Sequence, residues 1–121
     1  MPELQAAQAG YAAFARGDLE AALALLDEDV EWIVPGTSAV SGVFRGTGDV
    51  LELWKRLAER DWKVEPEYWF ADRDLVCALC HVTLRDGEMD TADLLRFREG
   101  RVVKFQTAAD TELLARAWPR A

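Results

Sequence analysis

The densest chemical signal in the chain is the string Cys77-Ala78-Leu79-Cys80-His81, which holds both cysteines and the sole histidine. Its C-x-x-C-H pattern is that of covalent haem attachment, and the C-x-x-C within it is that of dithiol redox sites. The string lies inside LVCALCHVTLR, however, which reads as a strand. Residues three apart on a strand point to opposite faces, with Cα atoms about 10 Å apart. A disulfide needs them within about 7 Å, so the two thiols cannot pair with each other. The same divergence makes a poor zinc site, and no metal is expected. Both cysteines read as small buried hydrophobes.

Three other side chains can do acid/base work. His81, with an ordinary pKa of about 6.5, is either a proton carrier or a residue that merely lines an apolar space. Asp93, in Asp93-Leu94-Leu95-Arg96-Phe97, shares a strand face with Leu95 and Phe97. An inward carboxyl there must pair or stay protonated, and either outcome shifts its pKa. The alternative is a hydrogen-bonded structural aspartate near a strand start. Tyr11 either turns its hydroxyl to a site or satisfies it on a backbone carbonyl.

The elements that must position these residues are legible from periodicity. Leu4, Ala7, Tyr11 and Phe14 recur at helical spacing, Gly17 offers a stop, and Asp18 caps a second helix, LEAALALL. VEWIV (Val30 to Val34) is a strand ended by Pro35-Gly36, and GTSAVSGVFRGTG reads as a loop. Thr47 or Asp49 starts a third helix, VLELWKRLAER, with Val50, Leu53, Trp54 and Leu57 in one stripe. Beyond Asp61 the period becomes two. WKVEPEYWF, LVCALCHVTLR, MDTADLLRFR and RVVKFQTA are strands separated by Asp72-Arg73-Asp74, Asp86-Gly87 and Glu99-Gly100. A short helix, TELLARAW, follows.

The order α-α-β-α-β-β-β-β-α predicts an α+β fold with helices packed on one side of a curved sheet. Pairing about Asp86-Gly87 sets His81 opposite about position 92, and a one-residue shift makes it the neighbour of Asp93. The strand LVCALCHVTLR is apolar on both faces. Leu75, Cys77, Leu79 and His81 are assigned inward, and Val76, Ala78, Cys80, Val82 and Leu84 outward. An apolar outer face needs a cover, and a second copy of the sheet is the simplest, so a homodimer through that face is expected. Trp69, on the strand face away from Tyr68 and Phe70, is assigned to it.

Bulk properties bound the remainder. The 121 residues suit one domain, 1–121, and the charge balance of fourteen basic against twenty-two acidic residues gives −8. The basic residues are scattered, which argues against nucleic acid and anionic membranes as partners. No apolar run approaches the roughly 20 residues of a membrane span, and MPELQAAQAGYAAF lacks a signal peptide's layout, so a cytoplasmic protein is expected.

YAAFARGDLEAALALLDEDVEW, the following Pro35-Gly36, SGVFRG and the closing DLLRFREGRVVKF together resemble the nuclear transport factor 2-like superfamily, in its SnoaL-like and ketosteroid isomerase-like branch. The resemblance spans nearly the whole chain. It implies a cone-shaped, curved, mostly antiparallel sheet wrapped around N-terminal helices. In ketosteroid isomerases a helical tyrosine and a protonated late-strand aspartic acid form an oxyanion hole, and those positions match Tyr11 and Asp93. The family's general-base aspartate falls at Val34, which argues against a steroid-type proton shift. SnoaL-like cyclases instead imply a late-strand aspartate beside a histidine on the preceding strand, here Asp93 and His81. Trp32, Val34, Trp54, Tyr68, Leu79, Leu95 and Phe105 are expected to line a pocket for a small, flat, apolar molecule. The implied activity is cofactor-free acid/base chemistry on an apolar keto or polycyclic substrate: isomerisation, cyclisation or dehydration. A non-catalytic binder of the same fold and an assembly domain with a filled cone are the alternatives.

Overall fold

The structure, a computed structural model, describes residues 1–120. Its first helix, α1 (Pro2–Ala15), ends where Gly17 takes a φ of 78°, a value that favours glycine. Asp18 then caps α2 (Leu19–Leu23) by accepting a hydrogen bond from the Ala21 N–H. α2 has only five residues, because the chain turns extended at Leu26 and begins β1 (Leu26–Val34) four residues earlier than VEWIV alone suggests.

The segment read as a loop contains a short strand, β2 (Gly42–Arg45), antiparallel to β1. Its four residues are too few to show a period, which is why alternation does not reveal it. β2 runs straight into α3 (Gly46–Ala58), whose buried stripe is Val50, Leu53, Trp54 and Leu57. β3 (Lys63–Asp72), β4 (Leu75–Leu84), β5 (Gly87–Arg98) and β6 (Arg101–Ala108) form an antiparallel meander, and α4 (Thr111–Ala117) follows. The sheet order is β2-β1-β6-β5-β4-β3. Only β1 and β6 pair in parallel, so the six-stranded sheet is mixed but mostly antiparallel, and the fold is α+β.

The two faces of β4 are the reverse of the sequence assignment. Val76, Ala78, Cys80, Val82 and Leu84 are buried, whereas Leu75, Cys77, Leu79 and His81 lie on the outer face, each partly or largely exposed. A strand apolar on both faces carries no sign of which side is inward, so periodicity alone leaves this open. β3 adds a second inversion. Its pairing with β4 skips a residue between Pro66 and Tyr68, so a β-bulge flips the alternation midway. Before the bulge Val64 points inward; after it Trp69 does, and Tyr68 (63% exposed) and Phe70 (59%) point outward. Trp69 therefore belongs to the interior rather than to the outer face, where its ring meets Tyr11 edge-on at 5.2 Å.

α1, α3 and α4 pack into the concave side of the sheet around Val30, Leu53, Val76, Val82, Leu95, Phe97, Leu113 and Leu114. A paired fork from Arg60, just past α3, to Asp86 in the β4–β5 turn ties the helix layer to the meander, at 3.0 and 2.5 Å. Among the described residues no helix is long and apolar enough to cross a membrane.

Candidate functional site

On β5 the inward set is Met89, Thr91, Asp93, Leu95 and Phe97, all buried. Asp93 is thus a carboxyl placed by strand parity in the middle of the core, 5% exposed. The Tyr11 hydroxyl donates to its Oδ2 at 2.5 Å, reaching across from α1. Thr107, the cross-strand partner on β6, donates to Oδ1 at 2.7 Å, and the Cys80 thiol lies 3.7 Å from Oδ2. Both carboxyl oxygens are engaged, and no cation is among the partners.

Burial raises the Asp93 pKa above the ordinary carboxylate value, because desolvation outweighs the polar contacts from Tyr11, Thr107, Cys80 and Thr91 that favour the ion. The Tyr11 phenol is held well above its usual range, first by burial and then by the adjacent Asp93. Burial also pushes the Cys80 thiol up to about 12, with Asp93 adding to it. Every group here is biased towards its protonated form. The cluster holds protons and shares them over short distances, which suits proton donation to an oxygen that gains charge.

The Tyr11–Asp93 pair opens on a cavity of about 120 Å³. That is of the order of the space that admits a benzene-sized ring. One wall is aromatic: Trp32 stacks on Phe105 with ring centres 3.6 Å apart and planes 13° from parallel, and Trp54 meets Trp32 edge-on at 5.5 Å. Val34, Leu95, Phe14 and Trp62 complete much of the apolar lining, and α1 contributes only the small residues Ala6, Ala7 and Gly10 beside Tyr11 and Phe14. The polar atoms gather at one end. Val34 is in the lining, and Asp93 is the one carboxyl group among the residues that border the cavity.

Of the residues singled out from sequence, the structure brings together Tyr11, Asp93, Trp32, Val34, Trp54, Leu95 and Phe105 around this cavity. It does not bring His81, Tyr68 or Leu79 there. The β4–β5 hairpin turns at Arg85-Asp86, one residue earlier than expected, so His81 pairs with Asp90 and Asp93 pairs with Ala78. Directly paired residues share a face, so His81 and Asp93 lie on opposite faces. The displaced turn moves each partner by two residues and keeps its face; the further one-residue shift that would set His81 beside Asp93 is the one the sheet does not make. His81 instead bonds Asp90 through Nδ1 at 3.0 Å, and that contact, with the charges of Glu88, Asp90 and Glu67, raises its pKa. Tyr68 and Leu79 follow it outward, Tyr68 because of the bulge.

Thr107 and Thr91 are the polar lining residues that sequence reasoning missed. The Glu99-Gly100 turn pairs Arg98 with Arg101, and carrying that register back points to Gln106 as the partner of Asp93. A bulge between Arg96 and Phe97 advances it to Thr107. Thr91 was legible as the residue two before Asp93 on the same face. Both thiols are free, Cys80 buried and Cys77 half-buried. Among the described residues no cluster of three or more His, Cys, Asp or Glu is placed to hold a metal.

With this geometry in place, comparison with known proteins is decisive at the family level. Residues 7–105 match the SnoaL-like domain. The chain belongs to that family. Among solved structures, this SnoaL-like chain superposes on Bal32a, from a soil-derived mobile gene cassette, with a TM-score of 0.91 at 21% identity over 97% of this chain and 96% of that one. An NTF2-like protein of unknown function from Burkholderia pseudomallei gives 0.83 at 24% identity over 99% of both chains. TerC, co-crystallized with polyporic acid, gives 0.86 at 20% identity over 97% of this chain and 98% of TerC. These likenesses place the SnoaL-like domain in the curved, cone-shaped NTF2-like fold. The uncharacterized protein Rv0034 of Mycobacterium tuberculosis is 51% identical over 41 residues, 34% of this chain. The match spans 31% of that relative's length.

Proposed function

We propose that this SnoaL-like domain is a cofactor-free acid/base enzyme of the isomerase, cyclase or dehydratase type, acting on a small, flat, apolar keto or enol compound. Asp93 is the proton donor and acceptor, and Tyr11 polarises the ligand oxygen and shares its charge. The observation that carries the reading is the 2.5 Å Tyr11–Asp93 hydrogen bond at the polar end of an otherwise apolar cavity. A carbonyl seated there gains enolate character as the ionised Asp93 takes a proton from its α-carbon and returns it to another carbon or to the oxygen. The Tyr11 hydroxyl meanwhile turns to the ligand oxygen, in a low dielectric that strengthens that bond. TerC, a fold relative crystallised with the aromatic polyporic acid, is in keeping with a flat ligand. The cavity size suits a single ring better than a polycyclic compound. His81 has no part in this chemistry, since it lies on the other face of the sheet.

The test is exchange of α-protons for deuterium in cyclohexanone and cyclohexenone, followed by proton NMR in deuterated buffer. Asp93→Asn should slow the protein-dependent exchange by about 10² or more. Equal rates with both proteins, or none above buffer, make the domain a binder. Val34 favours that second reading, because the cavity lining offers no carboxylate or histidine besides Asp93 to act as a separate base.

We further propose that the domain works as a homodimer through its outer sheet face, and the residues that carry the face differ from those expected. Tyr68, Phe70, Leu79 and Leu94 expose apolar surface there on three adjacent strands, whereas Leu84, Cys80 and Trp69 point inward. Contiguous apolar surface of this kind marks an interaction site. Light scattering at micromolar concentration should give a dimer, and Leu94→Lys with Phe70→Lys should give a monomer with its Tyr11–Asp93 chemistry retained. A monomeric native chain sinks the proposal.

A further inference from the structure

Thr91 is 7% exposed, and its hydroxyl oxygen has no hydrogen-bond partner. It is a polar neighbour of Asp93 and Cys80 and, like a weak hydrogen-bond donor, lowers the pKa of each, but its hydroxyl makes no well-formed hydrogen bond with either. A buried hydroxyl left unpaired costs stability, and most buried polar groups in proteins are paired. Thr91 is also a residue of the cavity wall, and it borders the outer groove at Tyr68, Leu79 and Ala108 as well. It stands two residues from Asp93 on the same inward face of β5.

We infer that Thr91 is a specificity-determining residue that binds a second oxygen of the ligand, so that the cavity selects small rings oxygenated at positions 1 and 3. The inference rests on the reading of the Tyr11–Asp93 pair as the anchor for the first oxygen. Side chains two apart on a strand leave it about 6.6 Å from each other and roughly parallel. Two ligand oxygens held by such a pair, each at an ordinary hydrogen-bond length, sit on the order of 5 Å apart. That is the separation across a 1,3-diketone, its enol, or a resorcinol ring. One-oxygen rings fill the same apolar space and leave the Thr91 hydroxyl unpaired. Discrimination is strong when a site's own buried polar group is stranded by the wrong ligand.

The experiment titrates the protein with resorcinol and cyclohexane-1,3-dione, and with phenol and cyclohexanone as one-oxygen controls. Quenching of tryptophan fluorescence reads binding, since Trp32 lines the cavity. The native protein should bind each dioxygenated probe about 5- to 10-fold more tightly than its control. Thr91→Val should erase that preference while leaving the controls within twofold, and Thr91→Ser should restore it. In the free protein Thr91→Val should leave Tm unchanged or raise it by about 3 °C, because it removes an unpaired polar group. A preference that survives in Thr91→Val, an absent preference in the native protein, or a fall in Tm of several degrees overturns the role of Thr91. Tyr11→Phe separates the two levels of the argument. If it weakens all four probes, the anchor stands whatever becomes of Thr91. If it weakens none, or if no probe binds, the anchor and the inference fail together.

Discussion

The β4–β5 hairpin carries two acid/base constellations, one on each face, and they behave as opposites. Inside, Asp93 is held by Tyr11 and Thr107 with its carboxyl pKa raised by burial. Outside, His81 is held by Asp90, and its pKa is raised by that hydrogen bond and by surrounding carboxylates in open solvent. By residue type the outer group is the more conventional catalyst. It has a histidine and a carboxylate partner that raises the imidazole's pKa. It has no cavity, and water screens it. The inner group lacks a histidine but has everything that makes a proton transfer selective: dryness, fixed short bonds and an enclosed space. Chemistry here follows the face.

The sharpest way to break this comparison is to remove one carboxylate from each side. Asp93→Ala strands the Tyr11 and Thr107 hydroxyls in the core and should cost about 2 kcal/mol in urea unfolding. Asp90→Ala should cost under about 0.5 kcal/mol, as exposed pairs do. Equal losses would mean that the two faces do not differ in the way their burial implies.

A smaller effect separates the thiols that flank the same strand. Cys80, buried and pushed up to about 12, should react with a disulfide reagent at pH 8 at least about 10-fold more slowly than half-buried Cys77. Single Cys→Ser variants and a colorimetric time course resolve the two. Comparable rates would place Cys80 outside the core.

The next contrast is in pH. A carboxyl whose folded pKa is raised binds its proton more tightly in the folded chain than in the unfolded one. Its ionisation therefore subtracts stability as pH rises from the unfolded value, about 3.8, through the folded one. Asp93→Asn removes that loss, so its Tm relative to the native protein should climb between pH 4 and pH 8. A flat difference, or one that falls with pH, would show Asp93 to be stabilised as an ion.

The smallest effect belongs to His81. Its raised pKa contributes stability below the unfolded value of about 6.5, and this fades as pH rises through the folded pKa. His81→Gln should flatten that slope slightly, more at low salt than at high, and leave deuterium exchange within twofold of the native rate. A large loss of exchange would return His81 to the site.

Much of this molecule is legible in its residues, and the failures share one cause. Tyr11, Asp93, Trp32, Trp54, Leu95 and Phe105 are recoverable because each sits in an element whose period has one clear answer. Leu79, Tyr68, Trp69 and His81 depend on parity, which a β4 apolar on both faces leaves open and the bulge in β3 reverses. The position of the β4–β5 turn, by contrast, slides partners by two residues and keeps their face. The Asp86-Gly87 pair is a strong turn signal, yet the loop is Arg85-Asp86, with Gly87 opening β5 at a φ of 153°. The bulge after Pro66 has no strong local signature beyond the proline, which suits β3's place at the sheet edge. An alternating pattern tells which residues travel together. It does not tell which way the group faces.

One wall of the cavity is made of almost nothing. Along α1, Ala6, Ala7 and Gly10 border the space, and a Cβ built on Gly10 would come within 2.9 Å of the Leu25 side chain, so helix and neighbour already touch there. The room for a ligand is thus kept open by the smallest side chains on one helix, while the proton-holding end is fixed by Tyr11 and by strands β4 to β6. Size and reactivity are governed by different side chains, although Tyr11 stands on the same helix as the small ones. Replacing Ala6 or Ala7 by valine or leucine would trim the chamber stepwise without touching the polar end, and a rarer reverse change elsewhere on the wall would enlarge it. Such an architecture is adjustable, because the side chains that hold the proton stay fixed while the small ones beside them on α1 can vary.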